Sequence, residues 1–94
     1  MKWQVYIILC SDNSFYTGIT TDIERRFSQH AGGKGAKYFR GRQPLQVVYL
    51  EDGHNRSSAA VREARIKSLN RAAKMKLVAE QAMAGTTLKP YKEN

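Results

Sequence analysis

Trp3 to Cys10 is almost continuously apolar and rich in β-formers, the pattern of a strand buried on both faces. Ser11-Asp12-Asn13-Ser14 is a turn cluster, and Phe15 to Thr20 returns as the second strand of a hairpin. The period then changes. Ile23, Arg26, Phe27 and His30 recur at i, i+3, i+4 and i+7, a single helical stripe. Thr21-x-x-Glu24 has capping-box form, Asp22 favours the positive end of the helix dipole, and Gly32-Gly33 ends the helix after about Ala31. Leu45 to Glu51 reads as a third strand, opened by Pro44 where a missing donor does least harm. Asp52 to Arg56 is predicted as a loop. Ser57 or Ser58 caps a second helix to about Leu69, and Asn70 caps a third ending before Gly85. In that third helix Met75, Val78, Ala79 and Ala82 form a stripe expected to face the core.

The order β-β-α-β-α-α predicts a small α+β domain, with helices packed on a short, mainly antiparallel sheet. Residues 1–85 are expected to form one domain and 86–94 a loose polar tail. The hairpin's register decides where its tyrosines point. A three-residue connection pairing Cys10 with Ser14 puts Tyr6 opposite Gly18, with Tyr16 diagonal to it on the same face. A two-residue turn separates them.

Composition narrows the class. Apolar content of 41% and charged content of 26% are ordinary for a globular domain, and no apolar run is long enough to cross a bilayer. The N-terminus lacks the layout of a secretion signal. Cys10, a lone cysteine in an apolar run, reads as a buried thiol, and a cytoplasmic location is expected. Charge changes the picture more. Sixteen Lys/Arg against eight Asp/Glu give +8 and a pI near 9.9, which makes nucleic acid the first candidate partner. A generally basic surface and anionic lipid are the alternatives. The Gly32 to Arg42 stretch concentrates the effect: Lys34, Lys37, Arg40 and Arg42 suit a phosphate backbone, and Tyr38 or Phe39 is available to stack on a base.

Several residues break the local rules. Arg26 and His30 share the core-facing stripe, where an unpaired guanidinium is costly. They form either an anion site or the stripe's snorkelling edge. Tyr6 and Tyr16 are either site phenols or core aromatics. Glu63, between Ala59/Ala60 one turn earlier and Lys67 one turn later, either reaches past the alanines or forms a solvated pair with Lys67.

In this order, Val5-Tyr6-Ile7, Tyr16-Thr17-Gly18, Arg26 with His30, and Glu63 resemble the GIY-YIG nuclease superfamily. Val replaces Gly in the first motif and Thr replaces Ile in the second. The likeness runs from about Trp3 to Leu77 and is greatest to the small stand-alone bacterial branch, for which Tyr-Thr-Gly-Ile-Thr and Gly-Lys-Gly-Ala-Lys-Tyr are typical. The resemblance implies a three-stranded sheet flanked by helices and metal-dependent cleavage of nucleic acid. Tyr6 would be the general base, Tyr16 would orient the water or the phosphate, and Gly18 would be a structural part of its motif. Arg26 would neutralise phosphoryl charge, His30 would assist at the same phosphate, and Glu63 would hold one Mg²⁺ or Mn²⁺. A chain with few, scattered acids suits a one-metal site, and a phenol of pKa about 10 serves as a base only beside added positive charge. Two departures stand out: Ile19 and Thr20 where many members have Lys, and Met75 where some have Asn.

The first reading is therefore a DNA endonuclease, repair-related or structure-directed, with little sequence specificity because no dedicated base-reading element is present. The second is a weak or inactive nucleic-acid-binding module on the same scaffold, with Lys34, Lys37, Tyr38, Arg40, Arg42 and Lys67 as contacts. The third is a basic face docking on an acidic protein. His54 and Cys10 are expected to lie outside the chemistry.

Overall fold

In the computed structural model, which describes residues 2–83, Cys10 and Ser14 close the three-residue hairpin. The Cys10 N–H donates to Ser14 O at 2.9 Å and the Asn13 N–H to Cys10 O at 2.8 Å. Asn13 takes the left-handed conformation (φ 69°) that such loops need, one that asparagine tolerates well. The strands so joined are β1 (Trp3–Cys10) and β2 (Phe15–Thr20). Helix α1 (Ile23–Ala31), a 3₁₀ turn (Lys37–Phe39), strand β3 (Pro44–His54) and helices α2 (Arg56–Lys67) and α3 (Arg71–Met83) follow. The predicted order is the observed one. The expected tail, 86–94, lies outside the described residues.

The sheet is antiparallel with order β2-β1-β3, so the apolar first strand takes the centre. Its alternate residues fill two cores. Tyr6, Ile8 and Cys10 pack with Phe27, Phe39 and Val47 under α1 and the 3₁₀ turn. Val5 and Ile7 pack with Tyr49, Ala59 and Ile66 under α2, with Leu77 and Val78 of α3 against the margin. Burial on both faces is why this strand reads as a continuous run rather than an alternating one.

Three boundaries differ from expectation. Asp22, not Thr21, caps α1, because its carboxylate accepts the Arg25 N–H at 3.1 Å and outcompetes a hydroxyl at the positive helix end. The expected 52–56 loop is mostly strand. β3 continues to His54 across a register shift against β1, with Gly53 at φ 84°, a conformation that glycine adopts without strain. The chain then turns directly into α2, so Asn55 becomes the cap. Ser58 completes a capping box from the third helical position.

The third helix lies in a different rotation from the one predicted. Met75 is 51% exposed and Ala79 and Ala82 are exposed, while Leu77 and Val78 face the sheet. The larger apolar pair wins the contact over small alanines, and Gln81 fixes the rotation. Its amide accepts the Leu50 N–H at 3.0 Å and donates to Leu50 O at 2.8 Å, pairing with edge strand β3 as a neighbouring strand would. Gln81→Ala is expected to cost about 1–2 kcal/mol, read as a lower urea midpoint at constant m. An unchanged midpoint would show that water replaces the amide without loss.

Candidate active site

The hairpin register places Tyr6 opposite Gly18 and Ile8 opposite Tyr16, so both phenols lie on the α1 face. The Tyr6 ring lies across Gly18: a Cβ there would sit 2.5 Å from the phenolic oxygen and 2.7 Å from Cζ. Glycine is the side chain that admits this ring. Tyr6 is buried and Tyr16 half-buried, with ring centroids 6.2 Å apart.

Helix α1 brings the cation and the imidazole to the same place. Phe27 and His30 turn into the core and Arg26 is half-buried beside them. The Tyr6 hydroxyl and His30 Nε2 share a hydrogen bond of 3.0 Å inside the protein. On the other side of the ring, the Ala36 N–H donates to Nδ1 at 3.3 Å. Arg26 acts on Tyr6 as a nearby positive charge, and its Nη1 donates to Gln29 Oε1 at 3.0 Å. With His30 only 1% exposed and both its nitrogens engaged, it has no direct reach to a phosphate. Its side-chain contact is with Tyr6 instead.

The electrostatics follow from burial. Tyr6 is pushed well above the ordinary phenol range, first by desolvation and next by Tyr16; the Arg26 hydrogen bond and charge oppose this, and Glu63 adds to it. Tyr16 also rises through burial, against Lys67 and Arg26. His30 falls from 6.5 to about 4, through burial first and Arg26 second. In the unliganded site both phenols are therefore protonated and the imidazole neutral.

Glu63 satisfies both readings of its position. It pairs with Lys67 at 3.1 Å, yet it is near enough to act on both phenols. Its side chain is 23% exposed, against 52% for Lys67. Among the described residues no three His, Cys, Asp or Glu side chains gather as a metal-ligand group.

Beside this site the 34–42 segment divides. Lys34, Lys37 and Arg40 are exposed. Arg42 is committed elsewhere: Nε pairs with Asp12 at 2.6 Å, Nη1 donates to Tyr38 O at 2.9 Å, and the guanidinium lies 4.1 Å from the Tyr38 ring centroid. Tyr38 is half-buried against Tyr16, 5.2 Å between centroids. Phe39 is not available for stacking on a base, since it is 5% exposed and packs on His30 at 4.3 Å and Tyr16 at 4.9 Å. Its place in the core follows from the helical turn at Lys37–Phe39, which rolls the ring inward. Sequence reasoning missed Gln29, Gly35 and Ala36 as supports of Arg26 and His30. The i, i+3 spacing of Arg26 and Gln29 was a usable signal; the other two act through the main chain.

His54 lies apart from this cluster, bonded to Glu51 (2.6 Å) and Ser58 (2.9 Å). Cys10 is a buried thiol whose pKa burial raises. No described helix is long and apolar enough to cross a membrane.

Comparison with known proteins gives an independent line. A family model described as the GIY-YIG catalytic domain matches residues 2–77. A UPF0213 protein of Natronomonas pharaonis is 49% identical over 77 residues, covering 82% of this chain and 91% of its own. The UPF0213 protein YhbQ of Escherichia coli is 48% identical over 81 residues, covering 86% and 81%. The solution NMR structure of a UPF0213 protein from Bacillus halodurans superposes with a TM-score of 0.57 at 44% identity, covering 86% of each chain.

Two outcomes are expected from this geometry. Gly18→Ala displaces the Tyr6 ring, seen as a change in Tyr6 side-chain NMR signals; unchanged signals would mean that the backbone absorbs the methyl. His30 is kept neutral by the fold, so the unfolded chain binds more protons between about pH 6.5 and 4. Stability is therefore full above 6.5 and falls by up to about 3 kcal/mol as pH drops toward 4. Urea unfolding across that window should show the slope in the wild type, and His30→Gln should flatten it.

Proposed function

The chain belongs to the GIY-YIG family, and from that premise we propose that it is a metal-dependent phosphodiester hydrolase that cleaves DNA with little sequence specificity. Repair of damaged or branched DNA is the setting this reading favours, with the cytoplasm as its location. The observation that carries it is the meeting of Tyr6, Tyr16 and Arg26 on one sheet face, with Glu63 acting on both phenols. Three distant stretches of sequence supply those groups. Their convergence suits one esterified phosphate.

Each group has a role that its surroundings permit. Tyr6 takes the proton of the attacking water, and Tyr16, more exposed, orients that water or the phosphate. Arg26, held by Gln29 and close enough to Tyr6 to act on it, stabilises charge growing on the phosphoryl oxygens. Glu63 would hold one Mg²⁺ or Mn²⁺; such an ion needs only one or two protein carboxylates when water and phosphate complete its shell. Bound there, it supplies positive charge at the leaving oxygen. Lys67, paired with Glu63 in this structure, would then be available to the nucleic-acid backbone. Because burial holds Tyr6 above the normal phenol range, phenolate forms only when the assembled site carries more positive charge than Arg26 alone brings.

That same raised pKa supports a second reading, a binding module with little catalysis, which Ile19, Thr20 and Met75 at the departing positions also favour. Lys34, Lys37, Arg40 and Lys67 serve the backbone in both readings, Tyr38 and Arg42 acting as the brace behind them.

Incubation with supercoiled and single-stranded DNA separates the two. Cleavage that requires Mg²⁺ or Mn²⁺, stops with chelator, and falls roughly 10²–10³-fold in Tyr6→Phe, Arg26→Ala or Glu63→Ala supports the enzyme. Salt-sensitive binding with no cleavage by the wild type selects the module. In either case a Lys34→Ala/Lys37→Ala double variant should lower the slope of log affinity against log salt by about 2; an unaltered slope would remove the loop from the interface.

A further inference from the structure

We propose that Gly35 and the Ala36 N–H form a positioning strap that fixes His30 as its Nε2–H tautomer, making it a constant hydrogen-bond donor to the Tyr6 oxygen rather than the base that removes the Tyr6 proton. The inference deepens the nuclease reading of this site and rests on it for its catalytic meaning.

A main-chain amide can only donate. The Ala36 N–H is aimed at Nδ1 at 3.3 Å, so Nδ1 carries the lone pair. A neutral imidazole must then bear its proton on Nε2, which faces the Tyr6 oxygen at 3.0 Å. The ring cannot swing away to alter this. A Cβ on Gly35 would overlap His30 Nδ1, so the strap lies against the ring edge at a distance that only glycine permits. Phe39 packs on the ring at 4.3 Å and Tyr16 meets it edge-on at 5.3 Å. The strap is itself anchored at both ends. The Lys34 N–H donates to Gln29 O at 2.9 Å, and the Phe39 N–H to Ala36 O at 3.0 Å.

The consequence bears on the proton. The Tyr6 oxygen accepts from His30 Nε2–H, and the Arg26 guanidinium, always protonated, acts on it as a positive charge, so neither group is positioned to take its hydrogen. Both instead stabilise the phenolate once its proton has passed to solvent water or hydroxide. The titratable or charged groups around His30 are Tyr6 from β1, Tyr16 from β2 and Arg26 from its own helix; Ala36 adds a fixed partial positive charge at Nδ1. All of these except the phenols oppose a second proton on the ring. Lys34 and Lys37 flank the strap, so the segment that meets the nucleic-acid backbone also sets the imidazole.

The test is long-range ¹H–¹⁵N correlation of the histidine side chains in the full chain at pH 7, with His54→Asn removing the other histidine's signals. A non-protonated Nδ1 and a protonated Nε2 at His30 are expected; an Nδ1–H ring in the wild type overturns the proposal. Ala36→Pro deletes the donor, and because the proline Cδ takes the place of the N–H it also pushes against Nδ1, so the ring must shift. In that variant Nδ1–H should become populated, the His30 titration midpoint should rise above about 4 while burial and Arg26 still hold it below 6.5, and cleavage should fall roughly 10²-fold at unchanged DNA affinity. Gly35→Ala, which crowds the ring without removing the donor, should also shift the His30 signals. If both variants leave the tautomer and midpoint at wild-type values, the strap does no positioning. Wild-type protein that cleaves with an Nδ1–H ring sinks the strap alone; protein that never cleaves but shows Nε2–H sinks the nuclease reading alone.

Discussion

The hydrogen bond between the Tyr6 hydroxyl and His30 Nε2 joins the central strand to the first helix inside the core. Each partner would be costly to bury alone, since a polar group without a partner loses its hydration for nothing. Together they make the α1 face of the sheet self-consistent. The requirement spreads outward from there. Tyr6 can reach His30 only because Gly18 on the neighbouring strand leaves its ring room, and His30 can hold its ring there only because Gly35 does the same. Phe39 then closes the apolar wall around the imidazole. Two glycines and an inward-turned aromatic, scattered over more than twenty positions, thus serve one buried contact.

On the proposed nuclease reading, this arrangement lets an acid-poor chain take a phosphate. A cluster of carboxylates would need several cations to hold it together, and the described residues contain no such cluster. The chain uses phenols instead. They are neutral when empty and so tolerate burial, and they gain charge only when a site of opposite sign is assembled. Glu63 follows the same logic with Lys67 as its resting partner. Glu63 acts electrostatically on both phenols and Lys67 on Tyr16, and the pair, being partly exposed, is weak enough to exchange.

Much of this was legible beforehand. Strand alternation left the hairpin register two outcomes, and the three-residue loop found in the structure selects the one with Tyr6 opposite Gly18. The placement of Arg26 beside a buried His30 followed from a helical stripe containing two polar residues. What stayed hidden was decided by contacts far apart in sequence. Leu77 joins the expected Val78 against the sheet in place of Met75 and the alanines because Gln81 clamps strand β3, thirty-one residues away from its partner Leu50. Arg42 reads as one more phosphate-binding cation until Asp12, on the hairpin turn, is found to hold it. Periodicity does not report such pairs.

The 34–42 segment shows how a loop acquires two functions without conflict. Its side chains and its main chain face different partners. Lys34, Lys37 and Arg40 project outward, whereas the Ala36 N–H and the bare Cα of Gly35 face inward to His30. An exposed basic loop would ordinarily be free to move, and a mobile loop could not orient an imbedded ring. Arg42 resolves the tension: its pair with Asp12 and its stacking on Tyr38 tie the loop's far end to the hairpin turn, while the Lys34 N–H ties the near end to α1. Arg42, held by Asp12 and Tyr38, therefore serves to stiffen the segment on which the imidazole leans.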